Sequence, residues 1–362
     1  MRQNYAFAVE SRVSAAVQGV LTGVADLHAS WINVFSFIVG DSLIARTNAR
    51  YIDRIQHTIR SSLRAMEEIL FEGKHFKLVN ESELPEIVDI LATYLPDSIK
   101  FHQTIKTYLN DRIWNFHFYV TKTWPENPVI LHFPGMTLTP NGNLYESFSV
   151  FCPCDKLDSL KFLEQEDVLI NWNQPLYLNF THNLIIEKIE DFYQDIGTIE
   201  KQYGDFYILS NSKLQDAEDE ELAENAKIIQ LREEHMCMIH DLYPANQMEG
   251  IEVFKKLVKK LPCYGVFSSD GELAAWMVQS YYGAMFSMQT KSEYRRKGYG
   301  FILAKYLTKI VRERGYIPFV VIRPENDASK GLYFKLGFKK HFQTIRAILR
   351  PYDLEITREQ EG

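Results

Sequence analysis

The stretch from residue 289 to residue 300 carries the residue types and spacing that best suggest chemistry. Its sequence is QTKSEYRRKGYG, in which Arg295 opens the pattern R-x-x-G-x-G. Glycine lets a backbone turn sharply and approach a ligand closely, and free amides at the start of a helix attract anions. Four basic residues against Glu293 give 4 − 1 = +3 locally, in a chain whose net charge is −7. The stretch therefore predicts a local phosphate site.

Two common phosphate motifs are excluded by the residues around the glycines. No Lys-Ser or Lys-Thr pair follows Gly298 and Gly300, as a Walker loop requires. A dinucleotide fingerprint would need a third glycine where Leu303 stands, and an acidic residue where the next strand ends at Arg323. The phosphate ligand must belong to another class.

A second motif follows one strand later, from Asn326 to Phe338, with the pattern N-x₆-Y-x-K-x-G-F. With R-x-x-G-x-G ahead of it, this order resembles the GNAT N-acetyltransferase superfamily over residues 226–350. The segments at residues 271–276, 292–295 and 84–101 resemble, more narrowly, glycine N-acyltransferase-like (FR47-like) proteins. The resemblance covers about residues 75–350; its cofactor motif is specific and its acceptor signature is not.

The resemblance implies acyl-CoA or acetyl-CoA as cosubstrate, lying beside a strand at Ala284–Thr290. It implies that Tyr333 protonates the leaving thiolate, which a phenol can do; the alternative is a buried aromatic on a short helix, and the spacing from Asn326 favours the functional role. Amides around Met288 to Thr290, at the end of the strand, would pair with the pantetheine arm and could polarise the thioester carbonyl. The amides of Arg296 to Gly300 would hold the pyrophosphate, and Asn326 would contact the pantetheine. The implied binding residues are Met288, Gln289, Thr290, Arg295, Arg296, Lys297, Gly298, Tyr299, Gly300, Asn326 and Ser329, with no metal.

The general base is the open point of the site. Glycine N-acyltransferases place a carboxylate directly after a glycine on the fourth strand, but here Gly283 is followed by Ala284. Glu293 is the nearest carboxylate in sequence and is our candidate, with a salt bridge in the loop as its alternative. His235 and His240 lie on a helix where acceptors often bind, although surface histidines are common there. A chain of waters is a further alternative.

These residues predict an N-acyltransferase that moves an acyl group from acyl-CoA to the amine of a small acceptor such as glycine or another amino acid. The alternative is a catalytically reduced acyl-CoA-binding module whose first half binds a partner. Ala284 favours the alternative, whereas Tyr333 and the intact glycine loop favour the enzyme. The acyl length, the acceptor and the oligomeric state stay open.

The elements that must position these residues follow a repeated order. Both halves of the chain predict a strand, helices, three strands, a helix, a strand, a helix and a strand. In the second half the helices at 301–314 and 328–336 flank a strand at 319–322. The expected fold class is mixed α+β, with two GNAT-like domains that each contain a mostly antiparallel twisted sheet flanked by helices. The first half lacks R-x-x-G-x-G, so we expect no cosubstrate there.

The predicted boundaries follow composition. Residues 1–74 form an extension, 75–212 a degenerate first domain, 213–225 an acidic linker, 226–350 the catalytic domain and 351–362 a tail. Apolar residues spaced by three and four from Thr47 to Leu70 predict an amphipathic helix with a basic remaining surface. Such a helix packs on its own domain or a second subunit, or lies on a membrane surface.

Composition argues against several other classes of protein. The net charge of −7 argues against nucleic-acid binding. The apolar runs before residue 40 are too short to span a membrane, although they permit a targeting segment. Four cysteines predict free thiols in a reducing compartment rather than disulfides or zinc. The compartment, cytoplasmic or mitochondrial, stays open.

Overall fold

The computed structural model describes residues 72–134, 147–209, 222, 225–246 and 249–352. These residues belong to one unit, Phe71–Gly362. The predicted amphipathic helix, the possible targeting segment, most of the acidic linker and almost all of the tail lie outside the described residues.

The two halves of the described chain repeat one order of elements. The first half consists, in chain order, of β1 (Phe76–Leu78), α1 (Leu84–Ala92), α2 (Ile99–Asp111), β2 (His117–Thr121), β3 (Ile130–Phe133), β4 (Ser149–Phe151), α3 (Lys161–Glu164), β5 (Leu176–His182), α4 (Asn183–Tyr193) and β6 (Gly197–Ile208). The second half consists of β7 (Lys227–Gln230), α5 (Glu233–Asp241), α6 (Ile251–Lys260), β8 (Cys263–Phe267), β9 (Leu273–Gln279), β10 (Met285–Thr290), α7 (Tyr299–Glu313), β11 (Phe319–Ile322), α8 (Asp327–Lys335) and β12 (Lys339–Pro351). The repeat predicted from the sequence is present in the structure.

Within the described residues the strands form three antiparallel sheets. The first sheet has the order β1-β2-β3-β4, and the second has the order β10-β9-β8-β7. The third sheet, which we call the joint sheet, has the order β11-β6-β12-β5. The predicted mixed α+β class with mostly antiparallel sheets is confirmed.

The joint sheet exchanges strands between the halves. The last strand of the first half, β6, lies between β11 and β12, which both come from the second half. The last strand of the second half, β12, lies between β6 and β5, which both come from the first half. Each final strand therefore satisfies its backbone hydrogen bonds entirely against the other half.

The sequence predicts a short strand over residues 206–209. In the structure this strand, β6, is much longer and spans Gly197–Ile208. The first part of β6 alternates exposed and half-buried residues and includes Glu200, Lys201 and Gln202. Without an apolar run, this part lacks the signal on which a strand prediction depends. Its pairing with β12, from Gly197 opposite Pro351 to Gly204 opposite Thr344, makes it a strand.

Helix α2 buries polar as well as apolar residues, so its pattern in the sequence does not separate it from α1. Lys100, His102, Gln103, Thr104 and Thr107 are all buried along it. Burial lowers the pKa of His102 to about 4, so this side chain is neutral in the interior. Phe101, Ile105 and Tyr108 form the apolar stripe of the helix, and the buried polar residues beside it obscure that stripe in the sequence.

The hairpin that joins β9 to β10 is buried against the first half. Residues 280–284 are all buried, and Gly283 adopts a φ of +87°. A Cβ at Gly283 would come within 2.7 Å of the Cβ of Gln103 on α2. The Tyr281 ring packs beside Phe116 and Trp114 of the first half. This contact fixes the start of β10, the strand that the candidate site uses.

Candidate functional site

The candidate site lies where the second sheet and the joint sheet separate. Strand β10 is at the edge of the second sheet and β11 is at the edge of the joint sheet, and the two strands are not paired with each other. A cavity of about 310 Å³ lies between them. We call it the central cavity. Of the residues predicted to bind the cosubstrate or to act in catalysis, Met288, Gln289, Asn326, Ser329 and Tyr333 line it.

Strand β10 carries a bulge at the cavity. Phe286 pairs with Val278, but the next pair joins Gln289 to Trp276, so the register shifts between them. Ser287 has a φ of 54° inside the bulge. A bulge leaves an extra residue outside the ladder and bends the strand. Backbone groups around Ser287 and Met288 are thereby directed away from β9, as a strand that binds a ligand with its amides requires.

The glycine loop connects the bulged strand to α7. Arg296 and Gly298 have φ values of 62° and 79°, so the backbone turns through the left-handed region twice. Gly298 is the N-cap of the 15-residue α7, without a side chain to cap the first amides. A Cβ at Gly300 would lie 3.3 Å from the Thr290 hydroxyl, which shows how closely the helix start approaches the end of β10. Uncapped amides and the helix dipole make this junction suitable for an anion.

The loop side chains have defined positions. The Nε of Arg295 donates to the carbonyl of Thr290 at 3.3 Å and so fixes the loop to the strand. The Lys297 ammonium lies 5.0 Å from the centroid of the Tyr294 ring. Tyr299, at the start of α7, is buried. The predicted residues from Thr290 to Gly300 therefore form one junction next to the cavity.

Tyr333 on α8 is positioned against the bulge. Its hydroxyl lies 3.5 Å from the Sδ of Met288, and only 3% of the residue is exposed. Asn326 caps α8, since its side chain accepts from the amide of Ser329 at 3.1 Å. Burial raises the pKa of Tyr333. The phenol is therefore protonated at neutral pH and can donate a proton in the cavity.

The predicted base does not meet Tyr333. Glu293 lies in an exposed 3-10 turn, where its carboxylate accepts from the Ser292 hydroxyl at 2.9 Å. Hydrogen bonds from its own backbone amide and from Ser292 lower the pKa of this carboxyl. Glu293 is not one of the residues that line the central cavity. Ala284 lines the cavity with a methyl group where a glycine N-acyltransferase has its carboxylate.

The two histidines considered for the acceptor side are engaged in helix contacts. The Nδ1 of His235 accepts from the amide of Arg232 at 2.9 Å, and the Nε2 of His240 lies 2.7 Å from the carbonyl oxygen of Glu249. Neither lines the cavity, and the described residues that do line it include no histidine, aspartate or glutamate. The structure therefore brings no side-chain base of these types to Tyr333.

A buried polar cluster that the sequence did not predict lies at the wall of the cavity. Arg346 of β12 forms a salt bridge with Glu249, Nη2 to Oε1 at 2.7 Å. The same nitrogen donates to the Tyr243 hydroxyl at 2.8 Å, and Nε donates to Oδ1 of Asn179 at 2.7 Å. We call these four residues the Arg346 cluster. The only local signal was an arginine inside the apolar run from Ile345 to Leu349; its partners are 97 to 167 positions away.

Residues 263–347 match the family model described as FR47-like protein. This FR47-like segment begins with β8, contains the bulge, the glycine loop and Tyr333, and ends inside β12. No curated protein matches the chain.

Several solved structures are similar to this chain to different degrees. A Drosophila protein determined by X-ray crystallography is similar over 76% of this chain and 98% of its own, with 20% sequence identity and a TM-score of 0.64. A tandem GNAT protein from the clavulanic acid biosynthesis pathway covers 75% of this chain and 97% of its own, at 9% identity and a TM-score of 0.49. A GCN5-related N-acetyltransferase-like protein from Streptococcus suis covers 75% of this chain and 100% of its own, at 16% identity and a TM-score of 0.40.

Two further findings concern other kinds of site. Among the described residues, no helix has the length and apolar content needed to cross a membrane. The same residues contain no group of three or more histidine, cysteine or acidic side chains placed to hold a metal ion. Burial raises the pKa of Cys152 and Cys263 to about 12, which keeps both thiols protonated.

Proposed function

We propose that the protein is an acyl-CoA-dependent N-acyltransferase of the GNAT superfamily, of the glycine N-acyltransferase-like kind. It would move an acyl group from acyl-CoA or acetyl-CoA to the amine of a small acceptor such as glycine or another amino acid. The observation that carries the proposal is the contact of the Tyr333 hydroxyl with Met288 in the bulge of β10. This contact puts a proton donor beside the strand that leads directly into the glycine loop.

The binding path follows from the residues of the site. The uncapped amides between Arg296 and Gly300 would hold the pyrophosphate, with the cationic loop side chains around them. Amides of the bulge, around Met288 to Thr290, would hold the pantetheine arm and polarise the thioester carbonyl. Asn326 and Ser329, at the start of α8, face the same cavity and would contact the arm from the other side.

The reaction balances with one protein proton donor. The amine nitrogen attacks the thioester carbon, the C–N bond forms and the C–S bond breaks. The departing thiolate takes the proton of the Tyr333 hydroxyl, and the tyrosinate recovers a proton from solvent. The amine loses one proton in the same turnover. No carboxylate or histidine is among the described lining residues, so we propose that the amine binds uncharged and releases this proton to water.

One observation favours a second candidate function. Ala284 removes the carboxylate that the resemblance implies for the base, and Glu293 is turned toward solvent. A catalytically reduced acyl-CoA-binding module, with the first half as a surface for a partner, is the alternative. Both candidates share the binding path and differ only in turnover.

A panel of acyl-CoA thioesters crossed with small amines distinguishes the two. We expect thiol release that requires an amine, accompanied by the N-acyl product in mass spectrometry. Thioester binding without thiol release for any amine would favour the binding module. Thiol release that is equal with and without an amine would be hydrolysis and would contradict both candidates.

A further inference from the structure

Arg346 is a buried cation at the wall of the central cavity. Only 7% of the residue is exposed, and it is one of the residues that line the cavity. Its guanidinium carbon lies 4.4 Å from the centroid of the Phe180 ring, so one face of the group is held against an aromatic side chain. The cation has a fixed position before any ligand arrives.

The hydrogen bonds of Arg346 leave one edge of the guanidinium unused. A guanidinium has five N–H donors. The Nε donor is used by Asn179, and Nη2 donates to Tyr243 and Glu249. Nη1 makes no hydrogen bond to any residue that the structure describes. Because Arg346 lines the central cavity, an acceptor bound there can use this free edge of the cation.

The surroundings of Nη1 suit an anion. Lys100 donates to the carbonyl oxygen of Asn179, and its ammonium lies 5.8 Å from the centroid of the Tyr282 ring. Lys100 and Arg346 therefore both donate to Asn179, one to its backbone carbonyl and the other to its side chain, and Glu249 pairs with Arg346. Phe180, Tyr282 and Phe286 supply apolar cavity wall, and an ion pair gains strength where water is excluded.

We propose that Nη1 of Arg346 binds a carboxylate on the acceptor, so that the acceptor is an amine that also carries a carboxylate. This inference rests on the proposed N-acyltransferase function and specifies its substrate class at residue level. The carboxylate would complete the hydrogen bonds of the guanidinium, and the amine at the other end of the small molecule would remain available for transfer.

The first half of the chain has a part in this site. Asn179 and Phe180 belong to β5, which pairs with β12 on both sides of Arg346: Ile345 lies opposite Thr181 and Ala347 opposite Leu178. Gln202, Tyr203 and Gly204 of β6 line the same cavity. The half without a glycine loop therefore builds the acceptor side of the site that the other half supplies with cosubstrate.

The test begins with the wild-type protein. Saturation-transfer NMR, with acetyl-CoA present, compares the common amino acids with matched amines that lack the carboxylate, such as glycine with methylamine. We expect at least one carboxylate-bearing amine to bind and its matched amine to bind roughly 10- to 100-fold more weakly, the range of one charge-assisted hydrogen bond. Equal binding of each matched pair, or binding of no carboxylate compound, would overturn the inference.

Arg346→Lys then tests the residue. It keeps a cation opposite Glu249 and removes the guanidinium edge, so carboxylate binding should fall roughly 10- to 100-fold while methylamine binding stays unchanged. Arg350→Lys is the matched control, because Arg350 lies on the same strand in an exposed ion pair with Glu200. Unchanged carboxylate binding in Arg346→Lys would overturn the inference. If this variant fails to fold by circular dichroism, the wild-type panel decides.

The outcome separates this inference from the proposed function. Thiol release that is as fast with methylamine as with glycine would retain the N-acyltransferase and remove the role of Arg346. Carboxylate binding that depends on Arg346, without thiol release for any amine, would retain the anion site and remove the transferase.

Discussion

The two halves differ most at one equivalent point, the junction that follows the fourth strand. In the second half, β10 leads through the glycine loop into the 15-residue α7, and two residues of the loop have positive φ. In the first half, β4 leads through Cys152-Pro-Cys-Asp-Lys156 into a 3-10 turn and the four-residue α3. None of the described residues 147–165 has a positive φ. Of these two junctions, the second therefore has left-handed loop residues and an uncapped start of a long helix, and the first has neither.

The residues at the junctions explain the difference. Proline at position 153 has no amide to donate, and the thiol of Cys152 lies 3.2 Å from the carbonyl oxygen of Lys156, which closes the loop on itself. Strand β4 pairs with β3 in regular register, whereas β10 is bulged. The comparison teaches that the same order of elements can end in different junctions, because a few backbone conformations and one bulge set the path of the chain.

The largest effect is expected when the first half is produced without the second. A fragment of residues 72–212 should fail to fold, because β6 loses both β11 and β12 and β5 loses β12. Circular dichroism and proton NMR of the fragment check this. Coexpression with residues 213–352 should restore a soluble complex, since the joint sheet can then form. A fragment that alone shows dispersed NMR signals would contradict the importance of the exchanged strands.

Tyr333→Phe tests the chemistry of the second half. The packing beside Phe338 is kept and only the hydroxyl is lost. Turnover should fall by roughly 10²–10⁴, the range for one positioned acid, with acetyl-CoA affinity nearly unchanged. Tyr306→Phe, at an exposed tyrosine of α7, is the matched control and should remain within a few-fold of wild type in steady-state assays. Normal turnover in Tyr333→Phe would mean that water or Tyr299, and not Tyr333, donates the proton.

Gly298→Asp tests whether the second junction binds the pyrophosphate, because it places a negative charge there. The carboxylate would stand beside the pyrophosphate amides, and acetyl-CoA affinity should fall roughly 100-fold or more in calorimetry. Gly271→Asp is the matched control: Gly271 has a similar φ of +84° with no neighbouring atom within 4 Å. Both variants incur a similar backbone strain of about 1–2 kcal/mol. Equal acetyl-CoA affinity in the two variants would remove the cradle assignment.

The smallest expected effect is the shape of the pH profile. A donor is active while it is protonated, and burial raises the pKa of Tyr333 above its ordinary value near 10. Activity should therefore rise with pH as more amine becomes uncharged, and no alkaline decline should occur below about pH 10. Rates at saturating acetyl-CoA between pH 6 and 10 check this. A decline that begins near pH 8 would show a different proton donor.

Short sequence motifs predicted the glycine loop of the second junction. The features that they did not predict depend on contacts between residues far apart in the sequence. The sharp turn at Gly298 and the helix that starts there depend on residues within a few positions, so their spacing predicted them. The cap that Asn326 forms on α8 was not predicted. The first part of β6 is a strand because β12 lies beside it, and Arg346 is a site residue because Asn179 and Glu249 meet it from other elements. No window of sequence contains those contacts.

Hydrogen–deuterium exchange with and without acetyl-CoA tests the central claim most directly, because it reads both junctions in one experiment on the whole protein. The account predicts that acetyl-CoA slows amide exchange in residues 285–303 and 326–336. It predicts unchanged exchange in residues 149–165, the equivalent junction of the first half. Slower exchange at residues 149–165, or unchanged exchange at residues 285–303, would contradict it.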